Sequence, residues 1–234
     1  MGVETDVVDI ILNGKAVQAQ SGTTILQAAA ANGVAIPTLC FHRDLSPTGA
    51  CRMCVVEVAR SRTLVASCHT LVTHGMVIET HSAKVLRARK VIMELMMASH
   101  PDFCLVCDKA NICEMRALSA ELGVGVPRFR AKKRFYQIEE NPYVIRDLSK
   151  CVLCYRCVKA CKEVKGANLF SMARRGFEMK VVVDDDAALD KEVCRDCGIC
   201  ISHCPVGALV WRPDRFRKPT DSARTSCRPL VIKG

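Results

Sequence analysis

CVLCYRCVKAC (Cys151–Cys161) and CRDCGICISHCP (Cys194–Pro205) decide how the rest of the chain is read. Each is a C-x2-C-x2-C-x3-C run, the spacing that holds two [4Fe–4S] cubanes when the fourth cysteine of each run ligates the other cluster. The expected sets are Cys151, Cys154, Cys157 and Cys204 for one cubane, and Cys194, Cys197, Cys200 and Cys161 for the other. Three thiolates on one short loop embrace three corners of a cube, and the fourth corner is closed from further off. The crossed pattern therefore staples two halves of a domain together through metal. Two zinc ions on paired C-x2-C knuckles are the alternative, and they would leave the third and fourth cysteines of each run without a role.

Working outward, His100, Cys104, Cys107 and Cys113 form H-x3-C-x2-C-x5-C. Three cysteines leave a cubane one ligand short, and His100 can complete the set. A lone histidine is usually not a ligand. A ligating imidazole also needs a partner for its other nitrogen, which the sequence does not identify. The segment Ser82–His100 upstream reads as a helix capped by Ser82, with Val85, Leu86, Val91, Ile92, Leu95 and Met96 close to one face. Its methionines read as packing groups. A second helix is expected over Glu114–Leu122, ending at Gly123.

Further upstream, Cys40, Cys51, Cys54 and Cys68 are spaced C-x10-C-x2-C-x13-C. Val7–Leu12 reads as a strand, Asn13-Gly14-Lys15 as a tight hairpin turn and Ala16–Ala19 as the return strand. A helix capped by Ser21 or Thr23 and closed by Gly33 follows, then strands near Val55–Val58, Leu64–Ala66 and Met76–Glu79. This order resembles the β-grasp fold of [2Fe–2S] ferredoxins. The cysteine spacing is not the plant type. With the flanking Ile36–Cys40 and Gly49–Cys54, it resembles the N-terminal [2Fe–2S] domain of the large iron–sulfur subunit of respiratory NADH dehydrogenase. Small Gly49 and Ala50 would let backbone N–H groups approach the sulfurs. A zinc site on the same four cysteines is the alternative.

The chain has 234 residues, 16 cysteines and a formal charge of +10. The start lacks a basic segment followed by an apolar core, and no apolar run is long enough to span a bilayer. The expectation is a cytoplasmic protein whose clustered cysteines bind metal and do not form disulfides. A basic excess invites nucleic acid as a partner. Coordinating thiols are deprotonated, however, and four such clusters carry about −7 in total, leaving the loaded protein near ~+3. The basic run Pro127–Tyr136, interleaved with aromatics, reads accordingly as a solvated linker or docking strip ahead of a single-stranded nucleic-acid contact. Asp184–Asp186 reads as a solvated acidic loop. Lys162 stands where the minimal motif has proline, His203 is expected to be exposed, and Cys227 is left over as a free thiol in the basic tail.

The expected architecture is α+β. It comprises a [2Fe–2S] β-grasp domain over 1–80, a helical [4Fe–4S] domain with one histidine and three cysteines over 81–122 and a linker over 123–142. A two-[4Fe–4S] ferredoxin-like domain over 143–211 and a tail over 212–234 complete it. That order resembles the N-terminal third of the NADH dehydrogenase large subunit, and also opens iron-only hydrogenases and some NAD-dependent formate dehydrogenases. The H-x3-C-x2-C-x5-C motif is shared with the first two families, which supports His100 as a ligand. There is no G-x-G-x-x-G or Walker A loop and no site for an organic substrate.

Ending after the ferredoxin module, the chain resembles the diaphorase gamma subunit of bidirectional, NAD(P)-coupled [NiFe] hydrogenases. That resemblance implies an oxidoreductase complex catalysing H2 + NAD+ ⇌ NADH + H+. FMN and NAD would sit on a diaphorase partner and the NiFe centre on hydrogenase small and large subunits. This chain would relay electrons between them, with the [2Fe–2S] site a branch or reserve. The alternative is the same relay role in a respiratory NADH dehydrogenase or formate dehydrogenase complex. A zinc-rich binding protein is the reading from another class.

Overall fold

A computed structural model describes residues 6–184, 186–189, 194–195 and 197–212. Strands β1 (Val7–Leu12) and β2 (Lys15–Gln20) form the expected hairpin, paired Leu12↔Lys15 through Ile10↔Val17. Asn13 and Gly14 both have positive φ (51° and 77°), as a two-residue turn matching strand twist requires. Strands β3 (Val55–Val58), β4 (Val65–Ala66) and β5 (Val77–Glu79) complete a sheet of order β2-β1-β5-β3-β4, in which β5 runs parallel to β1.

Helix α1 spans Ile25–Ala31 and buries Ile25, Leu26, Ala28 and Ala29 against this sheet. Its N-cap is Thr24, neither Ser21 nor Thr23. The Thr24 hydroxyl accepts from Gln27 N–H (3.3 Å) and Gln27 Oε1 accepts from Thr24 N–H (2.9 Å), a capping box. The Thr23 hydroxyl instead donates to Gln20 O.

Helix α2 (Ala83–Ser99) starts at its expected cap, Ser82, whose hydroxyl accepts from Val85 N–H. Its buried face differs from expectation. Val85, Arg89, Met93, Glu94 and Ala98 are buried, whereas Leu86 and Leu95 are 42% and 50% exposed. The apolar pattern misplaced the face because two of the inward residues are charged. Arg89 donates to Val55 O at 2.8 Å, and Glu94 is held by Arg128 through bonds of 2.7 to 3.1 Å. Two 3-10 turns (Cys104–Val106 and Ala110–Ile112) lead to α3 (Glu114–Glu121).

The run Pro127–Tyr136 is more than a solvated linker: three of its cations, Arg128, Lys133 and Arg134, bind this same chain. Beyond the Arg128–Glu94 pair, Lys133 donates to His100 O and pairs with Asp102, and Arg134 donates to Cys151 O at 2.7 Å. The strip thereby ties α2 to the loops that follow it.

In the remaining unit, β7 (Val144–Arg146) lies between β6 (Glu139–Glu140) and β10 (Leu209–Trp211), and β8 (Phe170–Ala173) pairs with β9 (Lys180–Val183). Helices α4 (Arg156–Lys159) and α5 (Ile199–His203) follow the first and second cysteine loops. At Lys162 the chain winds through one π-helical turn, Ala160–Val164. Asp186 is ion-paired with Lys180, so the acidic loop is partly tethered.

Two cores result. One is hydrocarbon between α1 and the five-stranded sheet. The other runs from Leu39, Cys40, Cys51 and Met53 through Met93 and Met115 into the C-terminal unit. Among the described residues no helix is long and apolar enough to cross a membrane.

Candidate metal centres

Cys40, Cys51, Cys54 and Cys68 are each at most 6% exposed. Cys40 follows α1, Cys51 and Cys54 precede β3, and Cys68 follows β4. Cys51 N–H points at Cys40 Sγ (3.5 Å) and Met53 N–H at Cys51 Sγ (3.4 Å), while the Gly49 and Ala50 amides also reach Cys40. Gly49 has φ +68°, and a Cβ there would lie 2.7 Å from the His69 ring, so glycine is required.

The thiols are paired, Cys40 with Cys51 and Cys54 with Cys68. The Cys51 thiol and local amides pull the Cys40 pKa down to about 5, and those around Cys54 pull it to about 6. Cys51 and Cys68 are pushed up by that partner bond, by burial and by the adjacent thiolates. Four sulfurs this close cannot all ionise without a cation, which is the donor chemistry of a metal site. A positive charge already stands beside them. Arg89, 1% exposed, has a guanidinium pKa lowered by burial and raised in part by the Cys54 sulfur. Its Nε has no hydrogen-bond partner.

His100, Cys104, Cys107 and Cys113 line one hollow with Met97, Met115, Lys150 and Gly207. His100 Nδ1 lies 2.9 Å from Pro101 O. A carbonyl can only accept, so Nδ1 carries the proton and Nε2 keeps its lone pair. Nε2 is buried and makes no hydrogen bond of good geometry, although the Lys150 backbone also bears on the ring. This is the arrangement of a metal-binding histidine, oriented through its other nitrogen. Burial lowers the His100 pKa and keeps the ring neutral.

Cys151, Cys154, Cys157 and Cys204 line a second hollow, and Cys161, Cys194, Cys197 and Cys200 a third. The fourth cysteine of each run thus stands with the other run's three, as the crossed spacing predicts. Left-handed backbone at Leu153 (φ 54°), Tyr155 (67°) and Gly198 (59°) curls the loops around their sulfurs, and Leu153 N–H reaches Cys151 Sγ at 3.4 Å. Any side chain at Gly198 would collide with the Trp211 ring. Burial and neighbouring sulfurs push Cys151 up to about 11 and Cys200 up to about 12, with Cys154 and Cys157 also raised. Among the described residues every cysteine is a free thiol.

Three features escaped the sequence reading. Lys109, 9% exposed, donates to Ile201 O (2.9 Å) and Cys204 O (2.6 Å), placing an ammonium between the His100 set and the Cys204 loop. Arg156 grips Glu114 through two bonds (2.6 and 2.8 Å) and Phe41 O at 2.7 Å, joining all three units. His203 is buried, not exposed: its Nδ1 sits 2.8 Å from Ile199 O one turn back in α5. The basic excess was the available signal for the first two, as charge set against anionic clusters. Cys51, His100 and Cys151, one ligand from each of three sets, line a common crevice. Cys227 lies outside the described residues.

Three domain families match in succession. Residues 5–83 match the 2Fe-2S iron-sulfur cluster binding domain. Residues 89–128 match the NADH-ubiquinone oxidoreductase-G iron-sulfur binding region. Residues 141–210 match the NADH-quinone oxidoreductase subunit 3 ferredoxin-like domain. The chain is therefore an iron–sulfur protein with [2Fe–2S]- and [4Fe–4S]-binding domains.

NADP-reducing hydrogenase subunit HndD of Solidesulfovibrio fructosivorans is 39% identical over 207 residues, covering 86% of this chain and 35% of its own length. The mitochondrial NADH-ubiquinone oxidoreductase 78 kDa subunit of Candida albicans is 35% identical over 222 residues, covering 93% of this chain and 30% of that protein. A chain in the crystal structure of NAD+-reducing [NiFe]-hydrogenase in the H2-reduced state superposes with a TM-score of 0.79 at 27% identity, covering 91% of this chain and 90% of that one. The chain is homologous to the iron–sulfur electron-transfer subunits of hydrogenases and NADH dehydrogenases. It spans about a quarter to a third of the curated relatives' length.

Proposed function

We propose that this chain is the electron-conducting subunit between a flavin- and NAD-binding diaphorase subunit and a [NiFe] hydrogenase module, in a cytoplasmic complex catalysing H2 + NAD+ ⇌ NADH + H+. The 1–80 unit would be a β-grasp domain holding [2Fe–2S] on Cys40, Cys51, Cys54 and Cys68. The 81–122 unit would hold a cubane on His100, Cys104, Cys107 and Cys113. The 143–211 unit would hold two cubanes on the crossed sets, with 123–142 joining them and 212–234 as a tail. The observation that carries the reading is the gathering of sixteen donor atoms into four sets, three of which face one crevice. The likeness to a chain of an NAD+-reducing hydrogenase that this chain covers almost completely supports this choice of complex.

Bound clusters would supply one-electron steps. The chain's own residues hold them, exclude water and set local charge. Arg89, Lys109 and Arg156 are buried cations placed beside or between ligand sets, where they favour the more negative, reduced state. Neutral His100 in place of a fourth thiolate removes one negative charge from its site and so acts in the same direction.

The similarity to the NADH-ubiquinone oxidoreductase 78 kDa subunit along 93% of the chain favours one second reading, the same conduit in an NADH dehydrogenase or formate dehydrogenase complex. Purification of the intact assembly separates the two. NAD+ reduction by H2, with about 14 irons on this chain and essentially no zinc in the cysteine sites, is the expected result. Activity with quinone or formate alone would assign the chain to the second complex.

A further inference from the structure

His42, Asp44 and His203 form a cluster outside the four ligand sets. One ring nitrogen of each histidine and a carboxylate oxygen of Asp44 lie within 4.8 Å of one another. The two rings face each other with centroids 4.3 Å apart and planes tilted by 50°.

His203 is 6% exposed, and its Nδ1 is committed to Ile199 O (2.8 Å), with the Ser202 hydroxyl at 3.1 Å. Since the carbonyl only accepts, Nδ1 carries the proton. Nε2 is thereby left as a buried acceptor, and it has no hydrogen-bond partner. A buried polar atom without a partner asks for an explanation. A backbone carbonyl holding the far nitrogen of an imidazole is how metal-binding histidines are oriented. His42 Nδ1 stands 3.5 Å from Asp44 Oδ2 and 3.3 Å from Asp44 N.

The surrounding joint is already assembled. Arg156 donates to Phe41 O, Lys159 to Ser46 O (2.8 Å), and Glu163 accepts from Ser46 N–H (2.8 Å). Arg156, which reaches Phe41 O beside His42, is held by Glu114 in a two-bond ion pair. Asp44, with 55% of its side chain exposed and shared with Arg43 at 3.8 Å, is the arm that can swing inward.

We propose that His42, Asp44 and His203 form a fifth metal site, taking a zinc-class divalent cation on two imidazoles and one carboxylate with a water in the fourth position. His42 and Asp44 follow Cys40 in the N-terminal unit, and His203 precedes Cys204 in the C-terminal one. The ion clamps the two cluster-bearing units together at that joint. The site does not depend on which oxidoreductase complex the chain serves.

The test uses the intact, iron-loaded chain under anaerobic conditions, equilibrated with micromolar zinc, gel-filtered and assayed for zinc and iron together. The expected result is about one zinc retained per chain with iron unchanged. His42→Ala and Asp44→Ala should each weaken retention at least ~10-fold while keeping full iron. Zinc should also raise the melting temperature of the wild type and not of His42→Ala. No retained zinc, equal retention by His42→Ala, or zinc that rises only as iron falls would each overturn the proposal.

Discussion

The five-stranded sheet and α1 enclose Ile10, Leu12, Ile25, Val56 and Ile78, a core whose volume is filled by hydrocarbon, with Cys54 and Cys68 set into it. Around β6–β10 the strands are two to four residues long, and Cys154, Cys157, Cys161, Cys200 and Cys204 are themselves core residues. In the first unit the sheet and helix have a hydrocarbon core of their own. In the second the hollows between the loops are lined by core cysteines, and the proposed clusters would fill them. The difference follows from hydrocarbon content and from the six-residue strands of the β1–β2 hairpin, which among the described residues only the first unit has, and it should make the two units respond differently to the same insult.

Iron removal should show the largest effect. After anaerobic chelation, amide exchange is expected to become fast throughout 143–211 and the 100–113 loops, while β1, β2 and α1 stay protected. Equal loss of protection in both units would erase the distinction.

Single ligands come next. Cys161→Ser should cost about four irons and lower the thermal stability of the C-terminal unit, whereas Cys54→Ser should cost about two and leave the sheet folded. His100→Ala should remove one cubane signal from electron paramagnetic resonance spectra and leave the other three clusters. An unchanged spectrum would remove His100 from the ligand set.

Buried cations sharpen the comparison further. Arg89→Met should destabilise the loaded protein by about 3 kcal/mol, since it strips a buried counter-charge from beside an anionic site. It should also lower the potential of the N-terminal cluster, as read by a redox titration. Lys109→Met, which strips the ammonium from Cys204 O and leaves Ile201 O with the Cys204 N–H alone, should cost about 2 kcal/mol and act on the cubanes instead. Arg128→Ala should show the smallest effect, a slight fall in melting temperature from loss of the bond to Glu94, with all potentials unchanged.

Metal-ligand spacing was legible because ligand geometry is written in short, local intervals. The hairpin at Asn13–Gly14 and the cap at Ser82 were equally local. The face of α2 was not, since burial of Arg89 and Glu94 depends on Val55 and on Arg128, partners 34 residues away in each case. His203 was misjudged for the same reason: nothing near Cys204 in sequence announces that His42 will pack on its ring. The run Pro127–Tyr136 looked solvated because the carbonyls and carboxylates it binds lie on other elements. The Thr24–Gln27 capping box was local and readable, but Ser21 and Thr23 competed for the same role.

Gly207 has a consequence beyond packing. A Cβ there would lie 2.6 Å from Cys107 Sγ, and Pro205 O, two residues earlier, accepts from Glu114 N–H at 2.9 Å. The main chain leaving Cys204 is thus pressed directly onto a sulfur of the His100 set, with no side chain between. Even a methyl group at this position would have to push Cys107 Sγ aside, so the smallest possible substitution would disturb a thiol of the His100 set from across the chain.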